Sequence, residues 1–347
     1  MEVNYSDYLR LQQILNLQWP ESEKRGTPAH DEMLFIVIHQ AYELWFKQVL
    51  HEVNSVNGIM ARPSLNDNSP ELQTVVHRLY RTVTILKLLV QQIDIMETMT
   101  PMDFLDFRDM LRPASGFQSW QFKIIEAKLG LQFPARHGQE HYISQLQPEQ
   151  VDLIRAAEAE KSLIVLLNEW LERMPFFEDP ENWKNMPRAG NKSPDGGAED
   201  FWTRYREVYL GTLMEAEKGN QAAFDQVFLA AEKSPEMTLS PKACRAALFI
   251  MLYRGYPILH LPYQLLNSLL EIDEQLSTWR YRHMNMVQRM IGTRIGTGGS
   301  SGKDYLRGAL EKHYIFRDIS RLTSFLIERR KLPELSREME RKLGFNT

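Results

Sequence analysis

The feature that most constrains this chain is a 30-residue stretch, Asp31 to Met60, whose apolar residues recur every three to four positions. Leu34, Ile38, Tyr42, Trp45, Val49, Val53 and Val56 follow that spacing, the period of a helix with one face turned inward. At 1.5 Å per residue such a helix is a rod of about 45 Å. It commits the fold to neighbouring helices long enough to cover it. The stretch from Met33 to Ile38 is apolar on every side, which predicts burial all round.

The rest of the chain repeats the theme. Ser69-Pro70 reads as a cap followed by proline at the first helical position, opening a helix to about Thr98. Thr100-Pro101-Met102-Asp103 opens another with a capping-box pattern and ends before Pro113. Further helices are predicted over about Phe117–Leu129, Pro148–Arg173, Phe201–Glu232, Ser240–Gly255 and Pro262–Ile291, and three shorter ones close the chain. Strand patterns are scarce, so the fold class is all-α: long buried helices around one core. Pro175 to Glu199 is rich in Asp-Pro, Met-Pro and Asp-Gly-Gly and reads as irregular. The expected organisation is an arm over 1–30, a core from 31–173 and 237–330, a small helical insert over 174–236 and a C-terminal helix over 331–347.

Composition narrows the function. With 41 Lys and Arg against 45 Asp and Glu, the net charge of −4 gives no footprint for nucleic acid or an anionic membrane. Cys244 is the single cysteine of the 347 residues, which excludes an intrachain disulfide and a cysteine-rich metal site. No window approaches 18 uninterrupted apolar residues and the N-terminus has no signal-peptide pattern, so a cytoplasmic protein is expected.

A few residues carry possible chemistry. Phe35, His39, Tyr42 and Phe46 share a helix face, so His39 is either a hydrogen-bonded core histidine or an imidazole meeting an aromatic ligand. His283 shares a face with Trp279, Val287 and Met290, which suits either a core histidine or a single axial haem ligand. Arg108 follows Phe104 by one turn and could pair with a nearby acid or hold a ligand carboxylate bidentately. Gly296 to Gly302 resembles a phosphate loop only loosely, because Thr297 stands where the first glycine belongs and Asp304 where the Mg²⁺-binding hydroxyl belongs. His137-Gly138-Gln139-Glu140-His141 spells an inverted zinc-protease motif, but Pro134 and Gly138 mark a loop where that motif needs a helix.

Taken together, five motifs resemble the haem-dependent tryptophan 2,3-dioxygenase family. They are Phe35-Ile36-Val37-Ile38-His39-Gln40-Ala41-Tyr42-Glu43-Leu44-Trp45-Phe46-Lys47, Leu86 to Gln92, Phe107-Arg108 with Pro113 to Ser119, Trp279 to His283, and Gly296 to Gly302. They lie in order within about 5–130 and 237–330, and 174–236 has no assignable counterpart. The resemblance implies a homotetrameric all-helical enzyme that uses haem b, active in the ferrous state, and O₂ to open the indole ring of L-tryptophan. The product would be N-formyl-L-kynurenine.

By the same resemblance His283 is the axial iron ligand, and Ser115 and Trp279 line the haem. His39, the catalytic-site histidine, faces the indole N–H. Phe35 packs on the indole, with Ile36, Val37, Ile38 and Phe104 around the substrate. Arg108 and Thr297 hold the amino-acid head group, and Tyr5, Tyr8 and Leu9 reach into a neighbouring subunit's pocket. Two departures stand out. Gln288 occupies a position where some members carry a second histidine, and Phe104 one where some carry a tyrosine. The second loses one hydrogen bond, about 1 kcal/mol net. The same motifs also allow a relative acting on a modified tryptophan. A haem sensor, in contrast, would not need Arg108 and Thr297, and a helical interaction module would bind no haem.

Overall fold

The computed structural model describes residues 3–133, 136, 143–174, 201–294, 296 and 302–344. Among these, every regular element is a helix, as the periodicity predicts. In chain order they are α1 (Tyr5–Leu9), α2 (Leu11–Ile14), α3 (Glu21–Lys24), α4 (Asp31–Met60), α5 (Pro70–Met96), α6 (Pro101–Arg108), α7 (Trp120–Leu129), α8 (Pro148–Ala159), α9 (Leu163–Glu172), α10 (Phe201–Leu210), α11 (Asn220–Phe224), α12 (Pro241–Leu252), α13 (Pro257–Ile291), α14 (Gly302–Lys312), α15 (Arg317–Leu322) and α16 (Arg337–Leu343). None of the described helices is long and apolar enough to cross a membrane.

Among the three longest helices, α5 packs against both α4 and α13, and together they form the spine. Their contact rows are Val49, Val53 and Val56 on α4, Leu72, Val75 and Leu79 on α5, and Leu265, Leu269 and Ile272 on α13, all essentially inaccessible to water. The predicted starts hold in atomic detail. Ser69 Oγ accepts from the Leu72 N–H at 3.1 Å ahead of Pro70. Thr100 and Asp103 form a reciprocal capping box on α6. Such caps satisfy N–H groups that the first turn leaves unpaired.

Several sequence expectations are corrected. The 148–173 helix is two, because Glu160 and Ser162 are extended. The two halves serve different cores: Ile154 and Ala157 of α8 pack with Ile124 and Ala127, whereas Leu163, Leu167 and Trp170 of α9 enter the main core. One straight rod cannot face both. The 201–232 helix also breaks, into α10, α11 and a π-turn over Asp225–Leu229. Its aromatic residues Phe201, Trp202, Tyr205, Phe224 and Phe228 are buried in the main core. Helix α13 starts at Pro257 and not at Pro262, which lies inside it. Both prolines suit a helix start, and only Pro257 occupies the first position, where the missing N–H costs nothing.

The stretch from Met33 to Ile38 is not buried all round. Ile38 is 4% exposed, but Met33 and Val37 are 42% and 47% exposed. The reason lies in the segment before α4. Buried Glu32 accepts from the N–H groups of Glu21 and Ser22 at 2.8 and 2.9 Å, which folds that segment onto one side of α4 only. Met33, Leu34 and Val37 line an open recess between α4 and that segment's Pro20, Pro28 and Ala29.

Gly130 closes α7 where no other residue fits. Its φ of +138° is disfavoured for any side chain, and a Cβ there would lie 2.4 Å from Ile164 Cγ2 on α9.

Candidate active site

The site is built where the first half of α4, the end of α5, helix α6 and the last third of α13 meet. Ile38, Met96, Met99, Phe107 and Met290 form a separate small core there, with Phe35, Phe104 and Met286 packed on it. Phe35, Phe104 and Phe107 make a three-ring cluster with centroids 5.4–5.7 Å apart. The flexible methionines fill the irregular space behind these rings.

His39 sits against Phe35, ring centroids 4.1 Å apart. Its Nδ1 is 2.7 Å from the Phe35 carbonyl. A carbonyl only accepts, so Nδ1 carries the proton and Nε2 presents a lone pair. Burial lowers the His39 pKa, against the Phe35 carbonyl and the Glu43 charge, which raise it. The imidazole is therefore neutral at pH 7. His39 is solvent-accessible, which does not fit the first of its two sequence readings, a core histidine.

His283 occupies α13 one turn after Trp279. The two rings are parallel within 5° at 5.0 Å. Trp279 is held in turn by Phe122 at 5.2 Å and, edge-on, by Tyr42 at 6.2 Å. Tyr42 donates to the Leu89 carbonyl at 2.7 Å, which locks α4, α5 and α13 around this stack. Burial and then the nearby His39 push His283 down to about 4, so it too is neutral. That electrostatic contact puts the two imidazoles in one neighbourhood. His283 Nδ1 is buried without a hydrogen-bond partner.

Arg108 ends α6 and is 4% exposed, its Nη1 3.9 Å from Asp109 Oδ1. It follows directly on buried Phe107 in the ring cluster. The other predicted residues separate. Ile36 is half-buried, and Val37 lies on the side of α4 away from His39, because residues two positions apart point to opposite sides of a helix. Ser115 is half-buried and caps the short turn Gly116–Gln118. Tyr5 and Tyr8 are 72% and 75% exposed, Leu9 is half-buried, and α1 buries no residue of its own. Gln288 is exposed near the end of α13. Thr297 and the His137–His141 motif lie outside the described residues.

The tryptophan 2,3-dioxygenase family model matches residues 1–326. The chain belongs to the tryptophan 2,3-dioxygenase family. It is 42% identical to the tryptophan 2,3-dioxygenase of Bdellovibrio bacteriovorus, over 99% of this chain and 98% of that one. It is 43% identical to that of Alteromonas mediterranea, over 98% and 97%. The relative from Dictyostelium discoideum is 42% identical over 99% of this chain and 88% of its own. Tryptophan 2,3-dioxygenase relatedness therefore runs through 174–236 as well, where the motifs gave no match. In the part described, that segment's aromatic side chains are buried in the main core.

The sequence resemblance implies a haem, and the residues present would fit one. His283 offers a single neutral imidazole as donor, and its buried Nδ1 has no hydrogen-bond partner. Among the described residues no group of three or more His, Cys, Asp or Glu could hold a bare metal ion. A cofactor that brings four of its own nitrogen ligands asks for only one or two from the protein.

Sequence reasoning missed Phe107, Met96, Met99 and Met290 as the floor of the site. It also missed a buried ion cluster on Arg280, whose partners are up to 154 positions away. No local pattern could have revealed either.

Proposed function

We propose that this chain is a haem-dependent tryptophan 2,3-dioxygenase that converts L-tryptophan and O₂ to N-formyl-L-kynurenine. The observation that carries the reading is the Trp279–His283 stack, joined to the helix of His39 through the Tyr42–Trp279 contact, with both imidazoles neutral. When bound, haem supplies the activation of O₂ that amino-acid side chains cannot.

The chain's own residues bind, orient and exclude water. His283 would hold the haem iron, and Trp279 and Ser115 would line the haem. Phe35 and Phe104 offer apolar faces to a flat indole, with Ile38 and Phe107 sealing the space behind them. His39 Nε2 accepts from the indole N–H, because its Nδ1 proton is already given to the Phe35 carbonyl. That bond fixes the indole in the ring plane direction and needs no proton transfer. The Arg108 guanidinium takes the substrate carboxylate as a fork, and Thr297 takes part of the same head group. Holding the substrate in one orientation can supply several kcal/mol of barrier lowering.

We further propose a homotetramer in which Tyr5, Tyr8 and Leu9 complete a neighbour's pocket. Two tyrosines more than 70% exposed on a helix with no buried residue support this. So does the recess beside Met33 and Val37, which this chain alone leaves open. The cytoplasmic setting expected from the sequence belongs to the same proposal.

One cuvette tests the reading. The haem-reconstituted protein is reduced without oxygen, L-tryptophan is added and O₂ admitted, while the Soret band and the N-formylkynurenine absorbance are followed. Many turnovers per haem are expected. A normal Soret band with no product would leave haem binding and remove the dioxygenase.

A further inference from the structure

Three residues before His283, α13 carries a buried arginine that binds no part of the ring cluster. Arg280 Nη2 donates to Glu126 Oε1 of α7 at 2.7 Å, and its Nη1 donates to the His313 carbonyl at 3.0 Å. Glu126 Oε2 accepts from Arg136 Nη1 at 2.6 Å, and Arg136 Nη2 reaches the Lys123 carbonyl at 3.2 Å. The side chains of Arg280 and Glu126 are 5% exposed and that of Arg136 is 1% exposed. Burial alone would raise the Glu126 pKa, but Arg136, His313 and Arg280 hold the carboxyl well below its usual range. The clamp is therefore ionic at any working pH.

Its second anchor is itself fixed. Asp273, two turns earlier on α13, accepts from the backbone N–H groups of Ile315 and Phe316 at 3.1 and 2.5 Å. That pins the segment whose His313 carbonyl meets Arg280. On the opposite side of the same turn, Arg282 reaches Asp94 of α5 and Glu97 just after it at 2.7 and 3.1 Å, though more exposed to solvent.

We propose that Arg280 is a positioning residue: clamped between Glu126 and the His313 carbonyl, it sets the rotation of α13 and so aims the His283 imidazole at the haem iron. The proposal rests on the reading of His283 as the axial ligand. Two arguments carry it. First, a buried ion pair contributes little net stability, and apolar residues of the same volume often serve as well. What a guanidinium fork provides is direction. Second, the leverage is large. A rotation of about 20° moves a side chain 5–6 Å from the helix axis by about 2 Å. Metal–ligand distances tolerate about 0.2 Å. Trp279, the residue beside Arg280, transmits the same constraint through its parallel stack on His283.

The test uses the full-length, haem-reconstituted protein and the variants Arg280→Met, Arg280→Lys, Glu126→Gln and His283→Ala. Three quantities are measured: the iron–histidine stretching band of the reduced protein, the rate of haem transfer to an apomyoglobin acceptor, and urea unfolding of the haem-free chain. Arg280→Met is expected to shift or broaden the band and to release haem about tenfold faster or more. Arg280→Lys should recover part of both, since it keeps a charge on Glu126. Should Arg280→Met not fold, Arg280→Lys and Glu126→Gln give the same reading at nearly unchanged volume. Variants that unfold more easily but keep the unchanged band and release rate would overturn the proposal, leaving Arg280 a structural residue. A band that survives in His283→Ala would instead overturn the ligand assignment, whatever Arg280 does.

Discussion

At the scale of single residues, the site depends on which nitrogen of each imidazole is free. His39 donates to the Phe35 carbonyl and keeps an acceptor toward the recess. Protonation would turn that acceptor into a second donor facing the indole N–H. Its pKa is lowered from 6.5, so kcat/KM for tryptophan should hold through neutral pH and fall only at a pH below 6.5. In His39→Ala that acidic limb should vanish; a pH profile unchanged by the substitution would remove the acceptor role. Arg108→Leu should raise KM for tryptophan about 10- to 100-fold, the worth of a charge-assisted pair of hydrogen bonds, with a smaller change in kcat. Steady-state kinetics with tryptophan and with tryptamine separate this from general damage, because tryptamine lacks the carboxylate and should be indifferent to the change. His283 also links pH to stability. Its folded pKa of about 4 lies below the unfolded value near 6.5, so the His283 contribution to the stability of the haem-free chain is lost as pH falls from about 6.5 to 4, opposite in sign to that of buried Asp67 and Asp273, whose carboxyls are raised to about 6. The difference in urea midpoint between the wild type and His283→Gln across that window isolates the His283 part and checks its sign.

At the scale of elements, short devices place the chemistry. Helix α6 is eight residues long and delivers Arg108 at its far end, so its start matters. Thr100→Ala removes the reciprocal cap and should cost about 1 kcal/mol. Because α6 carries Arg108, KM should rise with it. Gly130 is a stricter case. A methyl group at that position meets Ile164 Cγ2 at 2.4 Å in a backbone conformation of φ +138°. Gly130→Ala should therefore destabilise by about 3 kcal/mol, from overpacking and backbone strain together. Urea unfolding measures both, and a loss under about 1 kcal/mol would mean that α7 and α9 separate easily.

At the scale of the whole molecule, the proposed tetramer makes a prediction that no single subunit can mimic. Removal of residues 1–19 should leave the helical core folded, since α1 and α2 bury nothing, yet leave the pocket incomplete. Mixing that truncated protein with full-length His283→Ala subunits should restore activity in hybrid oligomers. The intact arms of the inactive subunits would then cover the intact pockets of the truncated ones. Mixtures no more active than their parts would show that each arm serves its own chain.

The sequence by itself determined the helical class, the helix starts at Ser69, Thr100 and Ser240, and the motifs that gave the family. These are local properties. A 3.6-residue period, a cap and a proline act within a few residues of where they are written. The same locality explains why His39, Phe35 and His283 could be singled out: each lies in an unusual pattern on its own helix. The tertiary structure decided the rest. It showed Met33 and Val37 exposed because Glu32 folds the preceding segment to one side, split 148–173 between two cores, and moved the start of α13 to Pro257. It also brought Phe107, Met96 and Met290 under Phe35, and Glu126 to Arg280 across 154 positions. Burial and ion pairing depend on what comes near in space, and a periodic pattern states only which face is apolar, not what will cover it.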